Sequence, residues 1–281
     1  MKISILTPTR GRPQRLATFI KSLDETASGF HEIEVVLGID EDDEESIDFS
    51  IATKHIKIVK TVAPRDTMGS INTRCFNYST GEILLLGNDD IIVKTEHWDR
   101  FIFDSVCIYD DEVYLAYPND GHKSKTLSTF PIISRRCAKL LVDPYPHEYQ
   151  GSMIDLHINE IFDRLKKLGF DRVIPISNVL FEHEHVQKNK KLIDQTYLDR
   201  NRFGDDATYR ALHEFRKRSA LHLKMHLEEE KTNKKLVKIH EEISIYRYIL
   251  KILFDRQLEK SQRIKHCAHM VLRNVARNLN M

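Results

Sequence analysis

The sequence predicts an α/β protein: a mostly parallel sheet flanked by helices, followed by a helical C-terminal extension. Three observations carry this reading. Apolar, β-branched runs at 2–8 (KISILTP), 32–40 (EIEVVLGID) and 55–62 (HIKIVKTV) have the continuous hydrophobicity of strands covered on both faces. Between the first two, PQRLATFIKSLDETA (13–27) places Leu16, Phe19, Ile20 and Leu23 at three- and four-residue spacing, with Pro13 in the first turn of the implied helix. From Asp206 onward glycine and proline disappear and the text reads helical almost to its end.

The remaining elements follow in order. MGSINTRCFNYSTGE (68–82) reads as a second helix stopped by Gly81, and ILLLGNDDIIV (83–93) as a strand, an acidic turn and an apolar continuation. YDDEVYLAYP (109–118) and TFPIISRRCAKLL (129–141) supply further strand and helix material. SMIDLHINEIFDRLKKL (152–168) is amphipathic and ends at Gly169, and RVIPISNVLFEHEH (172–185) reads as a late strand. Strands alternating with helices in this way build a parallel sheet with helices on its faces.

With 281 residues, 41% hydrophobic and 30% charged, the chain has the profile of a globular protein rather than a disordered one. Its net charge of +1 hides an asymmetry: residues 231–281 hold twelve Lys/Arg against four Asp/Glu, an excess of eight, which leaves −7 on the rest. The four cysteines have no paired spacing, which argues against a zinc knuckle or a disulfide framework and fits a reducing compartment. No run of about 18 apolar residues exists and no charged leader precedes an apolar core, so the expectation is a soluble, cytoplasmic chain.

Five places carry chemistry. At TPTRGRP (7–13), Thr7, Pro8, Thr9 and Arg10 stand where a strand turns into a helix, the rim at which open α/β sheets bind ligands. Asp40, with Asp42 close behind, ends the second strand, where a carboxylate accepts from a ribose or a base edge. In GNDD (87–90), Asp89 and Asp90 repel each other with only Lys94 nearby in sequence, a conflict that a hard divalent cation, Mn²⁺ or Mg²⁺, would relieve. In FEHEH, His183 and His185 share one face of an extended segment and are candidates to complete that metal site or meet a phosphate. Asp155 lies in the first turn of a helix, placed either as a general base or as an ordinary helix-favouring acid.

Taken in order, ISILTPTRGRPQRLATFIKSL, EIEVVLGIDEDD, MGSINTRCFNYSTGEILLLGNDDIIV, FPIISRRC, DLHINE and FEHEH resemble the GT-A (Rossmann-like) glycosyltransferases, in particular the inverting, bacterial-type enzymes of family 2. The likeness covers roughly residues 1–205. It implies a catalytic domain over 1–205, with nucleotide-sugar binding in 1–93 and the acceptor side in 94–205, and a basic helical extension over 206–281. It also implies transfer of a sugar from a nucleotide-diphosphate donor to a hydroxyl of a glycan or lipid-linked acceptor, a step of polysaccharide biosynthesis. Thr7 to Arg10, Asp40, Asp42, Arg74, Asn88 and Asp89 would face the donor, Asp89, Asp90, His183 and His185 the metal, and Asp155 would take the acceptor proton. Two departures stand out: Asn88 sits where the D-x-D motif has a carboxylate, and Ile154 precedes Asp155 where the family has a second acid.

In the tail, Leu236, Ile239, Ile243, Tyr246, Leu250 and Leu253 alternate by three and four, a heptad seam rimmed by Lys and Arg. Such a helix would pack on the rest of the chain, pair with a second copy, or lie peripherally on the inner face of an anionic membrane. Nucleic acid is not an expected partner, since no RNA-binding motif accompanies the charge. Two other functions compete. A nucleotidyltransferase usually carries a glycine-rich, lysine-bearing loop after the first strand, where TPTRGRP has one glycine and no lysine. A non-catalytic scaffold dimerising through its tail draws its support from Asn88.

Overall fold

The structure, a computed structural model, describes residues 1–122, 127–183, 201, 203–228 and 238–279. The strands are β1 (Lys2–Pro8), β2 (Glu32–Asp40), β3 (Ile56–Ala63), β4 (Ile83–Leu86), β5 (Ile91–Val93), β6 (Leu115–Asn119), β7 (Ile132–Ser134) and β8 (Val173–His183). They form one sheet in the order β3-β2-β1-β4-β7-β6-β8-β5. β1 runs parallel to β2 and β4, β2 to β3, and β6 to β8, while β7 opposes β4 and β6, and β5 opposes β8. The carboxyl ends of β1, β2, β3, β4, β6 and β8 therefore lie along one rim, and the described candidate residues read from strand ends sit on it.

Residues alternate between two cores, as the period of two along a strand requires. Ile3, Ile5, Ile83 and Leu85 face the side covered by α1 (Pro13–Thr26) and α4 (Trp98–Val106). Leu6, Leu84 and Leu86 face the side covered by α3 (Met68–Tyr78), α5 (Arg135–Leu141) and α6 (Ile154–Lys167). A short α2 (Glu44–Asp48) follows β2. The C-terminal helices, α7 (Asp206–Ala211), α8 (His213–Leu227), α9 (Ile245–Leu253) and α10 (Lys260–Asn278), contribute Phe215, Leu223, Tyr248, Ile252 and Met270 to the second core.

A buried charge network ties these last helices to α6. Glu160 accepts from Arg164 Nε at 2.9 Å and Nη2 at 2.6 Å, pairs with Arg216 Nε at 2.9 Å, and receives the Tyr209 hydroxyl. Arg164 reaches on to Asp255 at 2.6 Å. Burial would raise the Glu160 carboxyl, but Arg216 and Arg164 hold it well below the ordinary carboxylate range. Removing one member of such a set leaves an uncompensated buried charge.

The structure corrects the heptad seam. Leu236 lies outside the described residues, and 238–244 is not helical. Glu241 N–H donates to the Ala211 carbonyl at 2.9 Å and Arg210 Nε to the Ile243 carbonyl at 3.2 Å, so this backbone is bonded to α7 instead of to itself. The helix starts only at Ile245, where the Ser244 side chain accepts from Arg247 N–H. Ile243 is buried while Tyr246, Leu250 and Leu253 face outward, so the described residues of the seam form no single stripe. The apolar continuation after the acidic turn also differs from a simple extension: β5 leaves β4 and pairs with β8 at the far edge of the sheet.

Gly38 sets how closely α3 lies on β2. A Cβ there would stand 2.3 Å from Ile71 Cγ2 and 2.8 Å from Cys75 Sγ. Gly38→Ala should therefore displace α3 and destabilise the fold by about 1–3 kcal/mol, read as a lower denaturant midpoint with unchanged slope.

Candidate active site

The turn after β1 is held open by charge. Gly11 adopts φ +61°, the left-handed region that suits a residue without Cβ. Its N–H donates to Asp43 at 2.8 Å, and Asp43 caps α2 by accepting from Ser46 N–H. Arg10 grips Asp42 through both guanidinium Nη atoms and reaches Asp40 at 3.0 Å. Asp42 is accordingly held below its ordinary pKa by the Arg10 hydrogen bond, whereas burial raises Asp40 in spite of Arg10. Arg74 comes down from α3 and donates to the Ile39 carbonyl at 2.9 Å, beside Asp40.

The acidic turn after β4 faces the same rim. Gly87 N–H continues the ladder to the Leu6 carbonyl at 2.8 Å, which brings Asp89 beneath the β1–α1 turn. Asp89 is buried, accepts from the Thr9 hydroxyl at 2.9 Å, and pairs with Arg12 at 3.2 Å. Burial and the neighbouring Asp90 lift its pKa to about 6, and Arg12 and Thr9 only partly offset them. Asp90 meets His183 Nε2 at 3.3 Å and is held below its ordinary pKa, burial opposing and the His183 bond prevailing. His183 in turn packs edge-on against Phe130, at 5.2 Å between ring centroids, and its backbone N–H donates to the Asp120 carbonyl at 3.3 Å. Phe130 has φ +57°, a costly conformation for a side chain of that size and one that clusters at functional sites.

This geometry corrects the electrostatic premise drawn from the sequence. Lys94 does not relieve Asp89 and Asp90; it pairs with Glu182 at 3.5 Å. The relief comes across space, from Arg12 and His183. A cation is therefore not needed to make the turn foldable, though the turn retains an acceptor for one. Asp90 Oδ1 is buried and makes no hydrogen bond, and Thr7 Oγ1, Asp40 Oδ1 and Arg74 Nε along the rim are likewise buried without partners. A hard cation bound through one or two carboxylates and completed by phosphate oxygens and water fits that unfilled Asp90 oxygen. By contrast, the tighter group Asp143, His147 and Glu148 is already bridged by Lys238, at 2.5 Å from Asp143 and 2.6 Å from Glu148.

Of the other sequence candidates, Pro8 ends β1 on the rim, Asn88 is half-buried in the turn, and His185 lies outside the described residues. Asp155 occupies the first turn of α6, its Oδ1 accepting from Leu156 N–H at 2.8 Å. The segment before it is pinned to the start of α3, with Thr67 Oγ1 donating to His147 and Gly69 N–H donating to the Tyr149 carbonyl at 2.9 Å. Because α3 begins at the carboxyl end of β3, this loop runs along the ligand rim. Met153, with φ +68°, turns the chain into α6, and Asp205 clamps the approach by accepting from the N–H groups of Gln150, Gly151 and Ser152 at 2.6, 3.0 and 2.6 Å. Sequence reasoning missed Arg12, Asp43, Asp120, Phe130 and Asp205. Only Asp43 left a signal, an acid three residues before Ser46 at a helix start.

No family model and no curated protein sequence matches the chain. Among solved structures, it superposes on Staphylococcus aureus TarS residues 1–349 in complex with UDP-GlcNAc with a TM-score of 0.52, at 13% identity, over 98% of this chain and 73% of that one. The same TarS fragment without that ligand gives a TM-score of 0.50, again at 13% identity, over 98% and 72%. The chain adopts the GT-A fold. On the GT-A frame, the β1–α1 turn, the end of β2, the acidic turn and His183 share one rim, and they are the places singled out in the sequence.

The buried Asp89 gives a titration with a definite sign. Its folded pKa of about 6 lies above the unfolded value, so this group favours the folded state most at low pH, and that contribution is lost as pH rises through about 6. Asp89→Asn should flatten the stability profile between roughly pH 4 and 6, removing on the order of 2–3 kcal/mol of pH dependence. Chemical denaturation of both proteins across that range checks it.

Proposed function

We propose that the chain is a glycosyltransferase that moves a sugar from a nucleotide-diphosphate donor to an acceptor hydroxyl. The observation that carries this reading is the acidic turn at the sheet's ligand rim: Asp89 buried against Thr9 and Arg12, and Asp90 with one oxygen on His183 and the other unfilled. The GT-A fold, which TarS shares, supports it as analogy.

The residues divide the work by place. Asp40, with Thr7 and Arg74 beside it, offers polar atoms to the nucleoside, and Arg10 orients Asp40 and Asp42 rather than meeting the donor alone. Asp90, assisted by Asp89 and His183, would hold Mn²⁺ or Mg²⁺. When bound, such a cation neutralises the charge that gathers on the departing diphosphate. Arg12 and His183 bring further positive or hydrogen-bonding character to the same place. Asp155 takes the proton from the acceptor hydroxyl as its oxygen bonds to the anomeric carbon and the bond to the diphosphate breaks. A base on one face and a leaving group on the other give inversion. The acceptor class is a glycan or a lipid-linked glycan.

Two measurements separate this reading from a non-catalytic scaffold, which the internal neutralisation of Asp89 by Arg12 would suit. In thermal shift with UDP-, GDP- and CMP-sugars, with and without Mn²⁺, one donor at about 100 times its Kd should add about 2.7 kcal/mol, a rise of roughly 5–10 °C. Asp90→Ala should abolish the part of that shift that depends on Mn²⁺; an unchanged cation effect rejects the assignment. Asp155→Asn should keep the donor-induced shift while turnover of donor to free nucleoside diphosphate and product falls by about 10²–10⁴-fold. Wild-type turnover in that variant removes its role as base.

A further inference from the structure

The described helices α9 and α10 leave an apolar surface without a partner. On α9, Tyr246, Leu250, Leu253 and Phe254 follow one another at four, three and one residues, and Tyr246 and Phe254 are 79% and 78% exposed. On α10, Ile264, Val271, Leu272, Val275 and Leu279 hold the same helical phase, with Leu272 68% exposed. Of the 19 residues of α10, only His266 and Met270 are buried.

The two stripes join. At 100° per residue, Ile249 lies on α9 between the buried Ile252 and the exposed Leu253, and Cys267 lies on α10 between the buried Met270 and the exposed Val271. Cys267 Sγ meets the Ile249 carbonyl at 3.9 Å, so the helices touch along those lines. Each exposed stripe therefore begins beside that contact line, so the two are neighbouring apolar surfaces on adjoining helices. Contiguous exposure of this kind marks an interaction surface.

Charge decides what covers it. From Lys260 to Met281 the sequence contains five Lys/Arg and no Asp/Glu. On the far side of the α10 stripe stands exposed Lys265, with exposed Arg256 in the connection, and on the far side of the α9 stripe stands exposed Arg247, which also reaches Glu241 at 3.4 Å. A second copy applied to this patch would bring like charges together, whereas an apolar stripe rimmed by cations matches an anionic bilayer surface, with the tyrosine at headgroup level. We propose that the outer face of the α9–α10 pair docks the protein on an anionic membrane, its apolar stripe entering the headgroup boundary and its cations meeting lipid phosphates. This inference stands independently of the sugar-transfer reading.

Vesicle flotation of the full chain tests it, with phosphatidylcholine vesicles containing about 30 mol% of an anionic lipid and with phosphatidylcholine alone. The expected result is partition onto anionic vesicles that weakens with added salt, and little onto neutral ones. Leu250→Ser combined with Leu272→Ser, both at exposed positions, should lower partition by about tenfold or more with an unchanged melting temperature. Lys265→Glu combined with Arg256→Glu should do the same on anionic vesicles only. The proposal is overturned if wild-type protein stays with the aqueous phase, if the serine variant partitions equally, or if sedimentation shows a dimer that the serine variant dissolves.

Discussion

A single buried carboxylate organises the ligand rim. Asp89 sits under the turn that follows β1, and Thr9 and Arg12 reach down to it. That bond set ties the turn after β1 to the turn after β4, and so joins the Arg10–Asp40–Asp42 group to the Asp90–His183 pair. Burial alone would favour the neutral acid; Arg12 limits the rise but leaves the pKa near 6. The rim is thus built around a charge that is incompletely compensated. Such a position gains from any further cation, which is the physical link between the fold's stability and the chemistry proposed for it.

Much of the fold was legible because the sheet is buried on both sides. Strands such as 32–40 are legible because their core, 35–39, is an unbroken run without a charge, and Pro13 and Gly169 marked where helices start and stop. The rim was legible as positions, since strand ends are where the chain turns. It was not legible as partners. Arg12 and His183 lie far from Asp89 and Asp90 in sequence, so local charge counting credited Lys94, which the sheet carries to the other side of β8. Asp205 left no trace because its three backbone donors belong to a loop about fifty residues earlier, a spacing no motif encodes.

The tail shows the opposite failure. Its three–four spacing was real, yet one helix was read over 236–253 where the described chain is non-helical at 238–244 and helical only from Ile245. A helical period reports only that residues would share a face if the backbone were helical. At 238–244 the backbone spends its hydrogen bonds on α7, and Ser244 supplies the cap that lets the helix begin late. Glu160, Arg164 and Arg216, on α6 and α8, are fully buried and pair through Glu160.

The clamp at Asp205 has a practical corollary for dissecting the protein. This residue stands at the junction between the sheet-bearing part and the helical extension, yet its carboxylate holds the strand of chain that leads into Asp155. The helices beyond it also complete the core against which α6 rests. An expression fragment trimmed back to the sheet would lose that fastening along with the helices that cover this core.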